Sequence, residues 1–424
     1  MKKKLIEWSL RLVTIKIIKK YQPTIIAVTG SVGKTSTKDA IFESLKKNLS
    51  VSKSGGNLNT EVGAPLVFVQ HFTAPQSSKE WGQAVLKGIK LVLKKEEKYP
   101  EVIVCELGAD KPGDIKYLTS FIKPDISIVT AVGDVPVHVE AYKNTEEVAL
   151  EKSLLLSATK KSGTAIINAD DPYYDFLRKK VPPQVNILTF GYHKESSVRI
   201  DDFKINNKKR SSLSLEHKNK KYRAVLDRCI SSSFPYTASA AFATLIALQI
   251  PPHKTTKALK EIKPTPGRML PVEGIRNSTI IDGSYNAAPL SMKSSLETLK
   301  IFPGKRKIAV IGDMLELGSC ATKEHIKIGQ LAGEFCNFVI AVGEHATDVE
   351  KGVRSKKNNC QTFTFKKSEM AVPALKEIIK PRDAVLVKGS QSIRTEKIVY
   401  AIMKNKKKAS ALLVRQTPYW KNKQ

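Results

Sequence analysis

Residues 29–36, TGSVGKTS, have the composition and spacing of a phosphate-binding loop. Gly30 and Gly33 let backbone N–H groups approach an anion closely. Lys34 can then reach terminal phosphates, and the hydroxyl of Thr35 can bind Mg²⁺. Val28 stands where the common GxxxxGK[ST] motif has its first glycine, so this loop is a shorter form. The predicted nucleotide contacts are Thr29, Gly30, Ser31, Val32, Gly33, Lys34, Thr35 and Ser36.

Three more side chains could take part in chemistry, although the residues alone support them unequally. Glu106 ends an apolar run, EVIVCEL, and a carboxylate at the carboxyl end of a parallel strand is placed to bind Mg²⁺. A solvated or capping glutamate is the alternative. His138, in AVGDVPVHVE, stands alone, and a lone histidine is more often structural than a metal ligand. Lys152, in TEEVALEKSLL, has on its own the character of a surface lysine.

The elements that must position these residues alternate between strand and helix. A β-branched run at 24–28 precedes the loop, and KDAIFESLKK after it has apolar residues at helical spacing. Further strands are predicted at 101–107, 125–130, 164–168 and 185–190. This alternation predicts an α/β fold with a mainly parallel sheet, and the lysine-rich alternation at 198–227 predicts a small antiparallel patch.

A second α/β series follows PTPG at 264–267, which has the composition of a linker. Its predicted strands lie at 279–282, 307–312, 338–342 and 384–388, and its predicted helices at 289–299, 322–332, 369–379 and 392–403. The pattern predicts a Rossmann-like doubly wound domain. The predicted divisions are a basic amphipathic helix (1–22), a central P-loop ATPase domain (23–263), the C-terminal Rossmann-like domain (264–405) and a basic tail (406–424).

Composition narrows the class of protein. The chain has 424 residues and a formal net charge of +31, but its lysines are spread along the whole length with no aromatic-interleaved basic block. This distribution argues against dedicated nucleic-acid binding. The five cysteines form no CxxC pair, so neither a disulfide framework nor a zinc site is indicated, and a reducing cytoplasm fits. No apolar run approaches the ~20 residues that span a bilayer.

The first twenty residues, MKKKLIEWSLRLVTIKIIKK, predict a basic helix. Its apolar residues at helical spacing are Leu5, Trp8, Leu12, Ile15 and Ile18. Two placements of these apolar residues stay open. The helix could lie on an anionic membrane, which would place the protein peripherally at the inner face of that membrane. It could equally bury the stripe against its own domain.

Taken together, the motifs resemble the Mur ligase family, and most closely its MurF type. The short loop TGSVGKTS is similar to that family's phosphate loop, and ELG at 106–108 is similar to its metal-binding segment. Further similar segments, in the family's order, are SGGNLNTEVGAP at 54–65, NADD at 168–171, GRM at 267–269, DGSYNAAP at 282–289, GDMLELG at 312–318, His325 and KGS at 388–390. The resemblance spans about residues 22–405.

The resemblance implies a role for individual residues. The expected catalytic residues are Lys34, Glu106, His138 and Lys152, and the expected metal ligands are Thr35, Glu106, His138 and Lys152. Lys152 would be carboxylated, because a carbamate is an anion that can hold a second Mg²⁺ where an ammonium would repel it. From the C-terminal domain, the expected nucleotide contacts are Arg268, Asp282 and Asn286. The implied cofactors are ATP and two Mg²⁺ ions.

The implied activity is that of an ATP-dependent acid–amino-acid ligase of peptidoglycan synthesis, a process on which cell shape and division depend. It would join D-alanyl-D-alanine to a UDP-N-acetylmuramoyl-tripeptide through an acyl phosphate. Three alternatives stay open: the same chemistry on another peptide or polyglutamate-type acceptor, a folylpolyglutamate-type ligase, and a non-catalytic protein that binds ATP or a membrane. The presence of Glu106, His138 and Lys152 in register argues against the last.

The chain departs from the family pattern in three places. The family's DDSYNANP is DGSYNAAP here, so Gly283 and Ala288 remove polar contacts. The HNxxN segment that helps to hold adenine becomes Tyr236, Thr237 and Ala240, so adenine recognition is expected to differ. Residues 1–22 stand where the family has a UDP-binding domain of about a hundred residues, and that domain is expected to be absent.

Overall fold

The structure is a computed structural model that describes residues 2–56, 58–134, 141–206, 208–356, 359–417 and 420. The chain divides into two compact units. The first comprises residues 1–202, 213–224 and 235–262, and the second comprises residues 203–212, 225–234 and 263–424. The division at residue 262 lies beside the predicted linker at 264–267. The boundaries between the four predicted segments stay predictions.

A mainly parallel sheet lies largely in the first unit, although residues of its last three strands belong to the second. Its strands are β1 (Thr24–Thr29), β2 (Val51–Lys53), β3 (Val102–Glu106), β4 (Ile126–Val129), β5 (Thr164–Asn168), β6 (Asn186–Gly191), β7 (Val198–Ile205), β8 (Arg210–His217) and β9 (Lys220–Asp227). They lie in the order β2-β3-β1-β4-β5-β6-β7-β8-β9. The sequence missed the short β2. The last three strands follow one another along the chain and in the sheet, and they confirm the predicted antiparallel patch.

Helices flank this sheet. They are α1 (Lys2–Tyr21), α2 (Lys34–Leu45), α3 (Ser78–Leu93), α4 (Asp114–Thr119), α5 (Thr145–Ser157), α6 (Tyr174–Lys179), α7 (Phe234–Ala247) and α8 (Pro252–Leu259). Helix α2 buries Ala40, Ile41 and Leu45, which recur at helical spacing on one side. The helix that follows the phosphate loop is therefore anchored by its apolar side, and its first turn stays at the loop.

The register of the central strands brings three chain segments to one edge. Strand β1 lies between β3 and β4 and is parallel to both, with Val28 opposite Glu106 and Thr29 opposite Val129. Because the carboxyl ends of parallel strands meet at the same edge, the phosphate loop, Glu106 and the segment after β4 converge there.

Helix α1 does not bury the stripe that the sequence singled out. Leu10, Val13 and Ile17 are buried in the core of the first unit, together with the partly buried Ile18. In contrast, the stripe residues Leu5, Trp8, Leu12 and Ile15 are exposed. The prediction that this stripe could be buried against its own domain is wrong for these four residues. The helix has apolar residues on two sides, and spacing alone does not tell which side meets the core.

The second unit is built around a six-stranded sheet in the described part of the chain. Its strands are β10 (Leu270–Glu273), β11 (Thr279–Gly283), β12 (Lys307–Gly312), β13 (Phe338–Val342), β14 (Gln361–Phe365) and β15 (Ala384–Lys388). The order is β10-β11-β15-β12-β13-β14, parallel except for the β10–β11 pair. All four predicted strands are present, and β10 and β14 are additional. The predicted doubly wound arrangement is confirmed.

The helices of the second unit are α9 (Pro289–Ile301), α10 (Ala321–Gly333), α11 (Ala346–Arg354), α12 (Ser368–Ile378), α13 (Glu396–Ile402) and α14 (Ala409–Leu412). The helix predicted at 392–403 begins only at Glu396, because Arg394 has a left-handed φ of 59° that a helix cannot include. Helix α14 belongs to the predicted basic tail. None of the helices in the described residues is long and apolar enough to cross a bilayer.

Candidate active site

The phosphate loop turns tightly against the end of β4. Gly30 has a φ of 146°, and a Cβ there would lie 2.0 Å from Oγ1 of Thr130, so a larger residue would collide. The same Oγ1 donates a hydrogen bond to the carbonyl of Val32 at 2.6 Å. Gly33, with a φ of 85°, precedes the first turn of α2 in the left-handed region. The loop therefore owes its shape to its two glycines.

Lys34 begins α2 and folds over the loop. Its Nζ donates to the carbonyl of Gly30 at 2.6 Å, which holds the ammonium at the mouth of the loop. The N–H groups in the first turn of a helix have no partner within that helix, and the helix dipole makes this end electropositive. The loop and Lys34 together can therefore bind an anion such as a phosphate chain.

Glu106 is the centre of a polar cluster beside the loop. Its side chain is only 3% exposed, and its Oε2 accepts a hydrogen bond from the hydroxyl of Thr35 at 2.8 Å. Its Oε1 accepts from Nδ2 of Asn59 at 3.1 Å. Nζ of Lys38 lies 3.8 Å from Oε2 and also donates to the carbonyl of Ser54 at 2.8 Å. The carboxylate is thus fixed by three side chains from two other chain segments, and it faces the Thr35 hydroxyl.

Two members of this cluster, Lys38 and Asn59, were not identified from the sequence. Lys38 stands one turn after Lys34 in α2, where a lysine would be expected on the exposed side of the helix. It is nevertheless buried, with 1% of its surface exposed. The spacing of four residues between the two lysines was the available signal, because it places both on the same side of α2. Asn59 lies in the segment at 54–65, whose similarity to a family motif does not by itself place it beside Glu106.

The residues at Glu106 fit a magnesium ion. The hydroxyl of Thr35 and the carboxylate of Glu106 are hard oxygen donors of the kind that Mg²⁺ prefers, and their hydrogen bond brings the two oxygens side by side. Among the described residues, no group of three or more His, Cys, Asp or Glu side chains is placed to hold a metal. The third expected ligand, His138, lies outside the described residues.

Lys152 is buried in α5, so its interpretation as a surface lysine is wrong. Only 2% of its surface is exposed, and this burial lowers its pKa to about 7, with the charge of Lys34 acting in the same direction. The carboxylates of Asp110 and Glu151 act in the opposite direction without cancelling the effect. Near neutral pH a large fraction of this amine is unprotonated and is able to act as a nucleophile. Whether Lys152 is buried depends on which side of α5 packs against the sheet, and the sequence alone does not show which side that is.

The NADD segment at 168–171 supports the segment that follows β4. Nδ2 of Asn168 donates to the carbonyl of Thr130 at 3.0 Å. Oδ2 of Asp171 accepts from the backbone N–H of Val132 at 2.7 Å. Burial raises the pKa of Asp171, while its hydrogen bonds from backbone N–H groups oppose that effect. The segment thereby fixes Thr130, which in turn holds the phosphate loop.

The second unit brings Arg268, Asp282 and Asn286 together around Lys388. Cζ of Arg268 lies 4.0 Å from the ring centroid of Tyr285, a cation–π distance. Nζ of Lys388 donates to the backbone carbonyl of Asn286 at 2.7 Å. Burial lowers the pKa of Lys388 to about 7, aided by the charge of Arg268, and burial raises the pKa of Asp282 to about 6. Asp282 accepts from the N–H of Ser284 at 3.0 Å, which fixes its orientation.

Arg415, from the predicted basic tail, also belongs to this cluster. Its side chain is 5% exposed, and its Nη1 donates to the carbonyl of Ser284 and to the carboxylate of Glu396, each at 3.0 Å. Its Nη2 donates to the carbonyl of Tyr285. The tail thus supports the turn that carries the candidate nucleotide contacts, a role that the sequence did not reveal.

His325 is a structural residue in the second unit. Its Nε2 accepts from the backbone N–H of Met314 at 2.9 Å, and its Nδ1 is 2.7 Å from the carbonyl of Ala321. Burial lowers its pKa, which favours the neutral ring that these two contacts require. It therefore holds the GDMLELG segment at 312–318 in place.

Comparison with known proteins agrees with this arrangement. Residues 28–227 match the Mur ligase middle domain, and residues 267–391 match the glutamate ligase domain of Mur ligases. A Buchnera aphidicola (subsp. Acyrthosiphon pisum) protein named UDP-N-acetylmuramoyl-tripeptide--D-alanyl-D-alanine ligase is 30% identical over 400 residues, covering 92% of this chain and 79% of that protein. The chain belongs to the Mur ligase family. The protein of the same name from Escherichia coli (strain K12) is 27% identical over 90% of this chain and 77% of its own length.

Solved structures of Mur ligases share the fold. MurF from Thermotoga maritima, in complex with ADP, has a TM-score of 0.76 and 26% identity, covering 93% of this chain and 83% of that one. MurF from Acinetobacter baumannii has a TM-score of 0.79 at 23% identity, covering 94% of this chain and 81% of that one. The predicted fold class is therefore confirmed. The expected absence of a UDP-binding domain stays a prediction.

For this Mur ligase, the structure brings together the phosphate loop, Thr35 and Glu106 in the first unit. Lys152 lies close enough to Lys34 for the two charges to interact. Arg268, Asp282 and Asn286 are brought together in the second unit. The roles assigned to these residues stay predictions, as does that of His138.

Proposed function

We propose that this Mur ligase joins D-alanyl-D-alanine to a UDP-N-acetylmuramoyl-tripeptide and splits ATP into ADP and phosphate. Relatives of that name cover most of the chain, and the Thermotoga maritima structure was solved with ADP. The observation that carries the proposal is the phosphate loop with the Thr35–Glu106 pair at its edge, in a chain 30% identical to such a ligase.

The reaction requires that anions be held against one another. The tripeptide carboxylate attacks the γ-phosphorus of ATP, which gives an acyl phosphate and ADP. The amine of D-alanyl-D-alanine then attacks the acyl carbon, phosphate leaves, and the nitrogen gives up a proton. Lys34 and the N-terminus of α2 would offset the negative charge on the transferring phosphoryl group, and they are already oriented before it arrives.

Thr35 and Glu106 would hold a magnesium ion in this site, with His138 as the further ligand that the family resemblance implies. A magnesium ion bound there would neutralise phosphate charge and orient the phosphoryl group. Lys38 and Asn59 position the Glu106 carboxylate for this task through the contacts at 3.8 Å and 3.1 Å. They are positioning residues, because they touch Glu106 rather than substrate.

Lys152 is proposed to carry a carboxyl group. Its unprotonated Nζ would attack the carbon of CO₂, forming an N–C bond and releasing one proton, so that the side chain becomes an anion. The lowered pKa supports this, because a protonated amine cannot attack. The resulting carbamate would supply oxygen ligands for a second Mg²⁺.

The second unit is proposed to contribute nucleotide contacts from Arg268, Asp282 and Asn286. Arg268 carries a guanidinium suited to phosphate, and its contact with the Tyr285 ring orients it. Asp282 and Asn286 flank the turn supported by Arg415.

We propose a cytoplasmic location, with peripheral membrane contact through residues 1–20.

The test is phosphate release from ATP in the presence of both substrates, and with each omitted in turn. Activity that needs both, and that is lost in Lys34→Ala but retained in Lys123→Ala, supports the proposal, because Lys123 is an exposed lysine of the same unit. Phosphate release independent of either substrate, or full ligase activity in Lys34→Ala, would count against it.

A further inference from the structure

Helix α1 carries an exposed apolar stripe on the side that faces away from the core. Leu5 is 64% exposed and Trp8 is 59% exposed, while Leu12 and Ile15 are each more than one-third exposed. The four recur at spacings of three and four residues and so form one row along the helix. The side buried in the core carries Leu10, Val13 and Ile17 instead, so the helix is apolar on two sides.

Helix α3 adds a second exposed apolar row, which the sequence had not indicated. Leu86 is 58% exposed, Ile89 39% and Leu93 80%, whereas Ala84 and Leu91 of the same helix are buried in the same core as α1. The three exposed residues again recur at spacings of three and four. Both helices therefore bury one side in a common core and present apolar residues on the opposite side.

The two helices are fixed beside one another within the first unit. Nζ of Lys20 donates to the carbonyls of Leu91 and Val92 at 3.1 and 2.7 Å. The two helices also approach each other closely at Gly88 of α3, where a Cβ would lie 2.4 Å from Cγ1 of Val13 in α1. The exposed rows thus lie on neighbouring helices, and together they are here named the α1/α3 face: Leu5, Trp8, Leu12, Ile15, Leu86, Ile89 and Leu93.

Basic residues accompany this face. Helix α1 contains seven basic residues and one acidic residue, and α3 contains three basic residues and one acidic residue. Lys4, Lys16 and Lys19 are exposed, and each stands four residues from a member of the α1 row, so they lie on the same side. Long lysine side chains can keep the ammonium at a polar boundary while their stems lie along apolar surface.

We propose that the α1/α3 face binds the surface of an anionic phospholipid bilayer, with its apolar side chains among the headgroups and its lysines on lipid phosphates. Charge complementarity favours a bilayer over other partners. An apolar stripe bordered by lysines matches the surface of an anionic bilayer, where negative headgroups lie over an apolar acyl region. The inference extends the proposed membrane contact of residues 1–20 to α3. It does not depend on the ligase reaction.

Flotation of the full chain with phosphatidylcholine vesicles, with or without phosphatidylglycerol, tests this. The wild-type chain is expected to float only with the anionic vesicles. Trp8→Ser combined with Leu12→Ser should lower the partition coefficient about tenfold or more. The matched control is Ile301→Ser with Met370→Ser, two residues 54% and 55% exposed in the second unit, which should change nothing.

A second pair of variants separates the local lysines from the general charge of +31. Replacing Lys4, Lys16 and Lys19 by Gln should weaken binding by about fivefold per lysine. The same change at the exposed Lys366, Lys367 and Lys376 should leave binding unchanged. Equal losses in the two triple variants would show that only overall charge matters and would overturn the proposal.

Three other outcomes would also overturn it. These are no flotation of the wild-type chain, equal flotation with neutral vesicles, and a dimer in sedimentation velocity that Trp8→Ser with Leu12→Ser dissolves while no vesicle binding occurs. Ligase activity of the same samples is measured in parallel. Normal vesicle binding without ligase activity would contradict the proposed function and leave the α1/α3 face intact.

Discussion

Lys38 is a buried lysine that positions the candidate metal ligand Glu106. Its Nζ lies 3.8 Å from Oε2 of Glu106, and both side chains are almost fully buried. Lys38→Met removes a contact that positions this carboxylate, so Glu106 should bind Mg²⁺ less well. We expect a loss of about tenfold to a hundredfold in kcat/KM. The half-saturating Mg²⁺ concentration, measured in the ligase assay, should rise as well.

The control for this variant is Lys46→Met at the end of the same helix. Lys46 is 40% exposed and pairs with Glu43, away from Glu106. Its activity and magnesium dependence should match those of the wild type. An unchanged magnesium dependence in Lys38→Met would show that Lys38 does not act through Glu106.

Lys152 offers a direct test of the carbamate. Lys152→Ala should lose ligase activity, and short carboxylic acids such as formate should restore part of it, because they can supply the missing carboxylate oxygens in the space that is left. The same acids should not restore activity to Lys34→Ala. Full ligase activity in Lys152→Ala, or no rescue at any acid concentration, would contradict the carbamate.

For single residues, the sequence predicted a site role where that role follows from the position of the residue within a predicted strand or loop. Glu106 could be identified because it ends a strand beside a phosphate loop. The contacts of Lys38 and Asn59 with Glu106 could not be predicted, because they join segments that are far apart in the chain. The burial of Lys152 was equally hidden, and only the family resemblance had singled it out.

At the scale of elements, the phosphate loop depends on backbone that only glycine adopts there. Gly30→Ala would place a Cβ 2.0 Å from Oγ1 of Thr130 at a φ of 146°. We expect a loss of stability of about 2 kcal/mol or more and a loss of nucleotide binding, measured by urea denaturation and by ADP titration. Gly82→Ala in α3, where nothing lies within 4 Å, should instead stabilise by about 0.5–1 kcal/mol. Equal effects at the two glycines would contradict this account.

The elements themselves were largely predictable, and the exceptions have physical reasons. Strands β12, β13 and β15 begin and end where the sequence predicts, because buried parallel strands are continuous apolar runs. The three-residue β2 is too short to leave such a signal. For α1, length and helical character were evident, but the side that meets the core is decided by tertiary contacts such as that between Val13 and Gly88.

At the scale of the whole molecule, each unit contains a buried lysine whose pKa is lowered to about 7, Lys152 in the first and Lys388 in the second. In CO₂-free buffer, where Lys152 stays an amine, the unfolded chain holds these two protons between pH 7 and about 10 and the folded chain does not, so the two lysines should make stability rise with pH. Asp282, with its pKa raised to about 6, acts in the opposite direction only below that value. We therefore expect the thermal midpoint to rise between pH 7 and 8, below the range in which the buried thiols, whose pKa is raised by burial, act in the opposite direction.

A variant with both Lys152→Met and Lys388→Met separates this effect from the general positive charge. It should be more stable than the wild type at pH 7, and the difference should shrink as the pH rises toward 10. A difference that stays constant or grows with pH would mean that the two lysines are not the source of the trend.

The activity proposed for this chain is that of a ligase that forms a peptide bond at the expense of ATP. The most direct measurement is mass spectrometry of the reaction of the purified chain with ATP, Mg²⁺, UDP-N-acetylmuramoyl-tripeptide and D-alanyl-D-alanine. We predict a product with the mass of the two substrates joined less one water, with one ADP formed for each product. ADP formation without that product, or no ADP at all, would contradict the account.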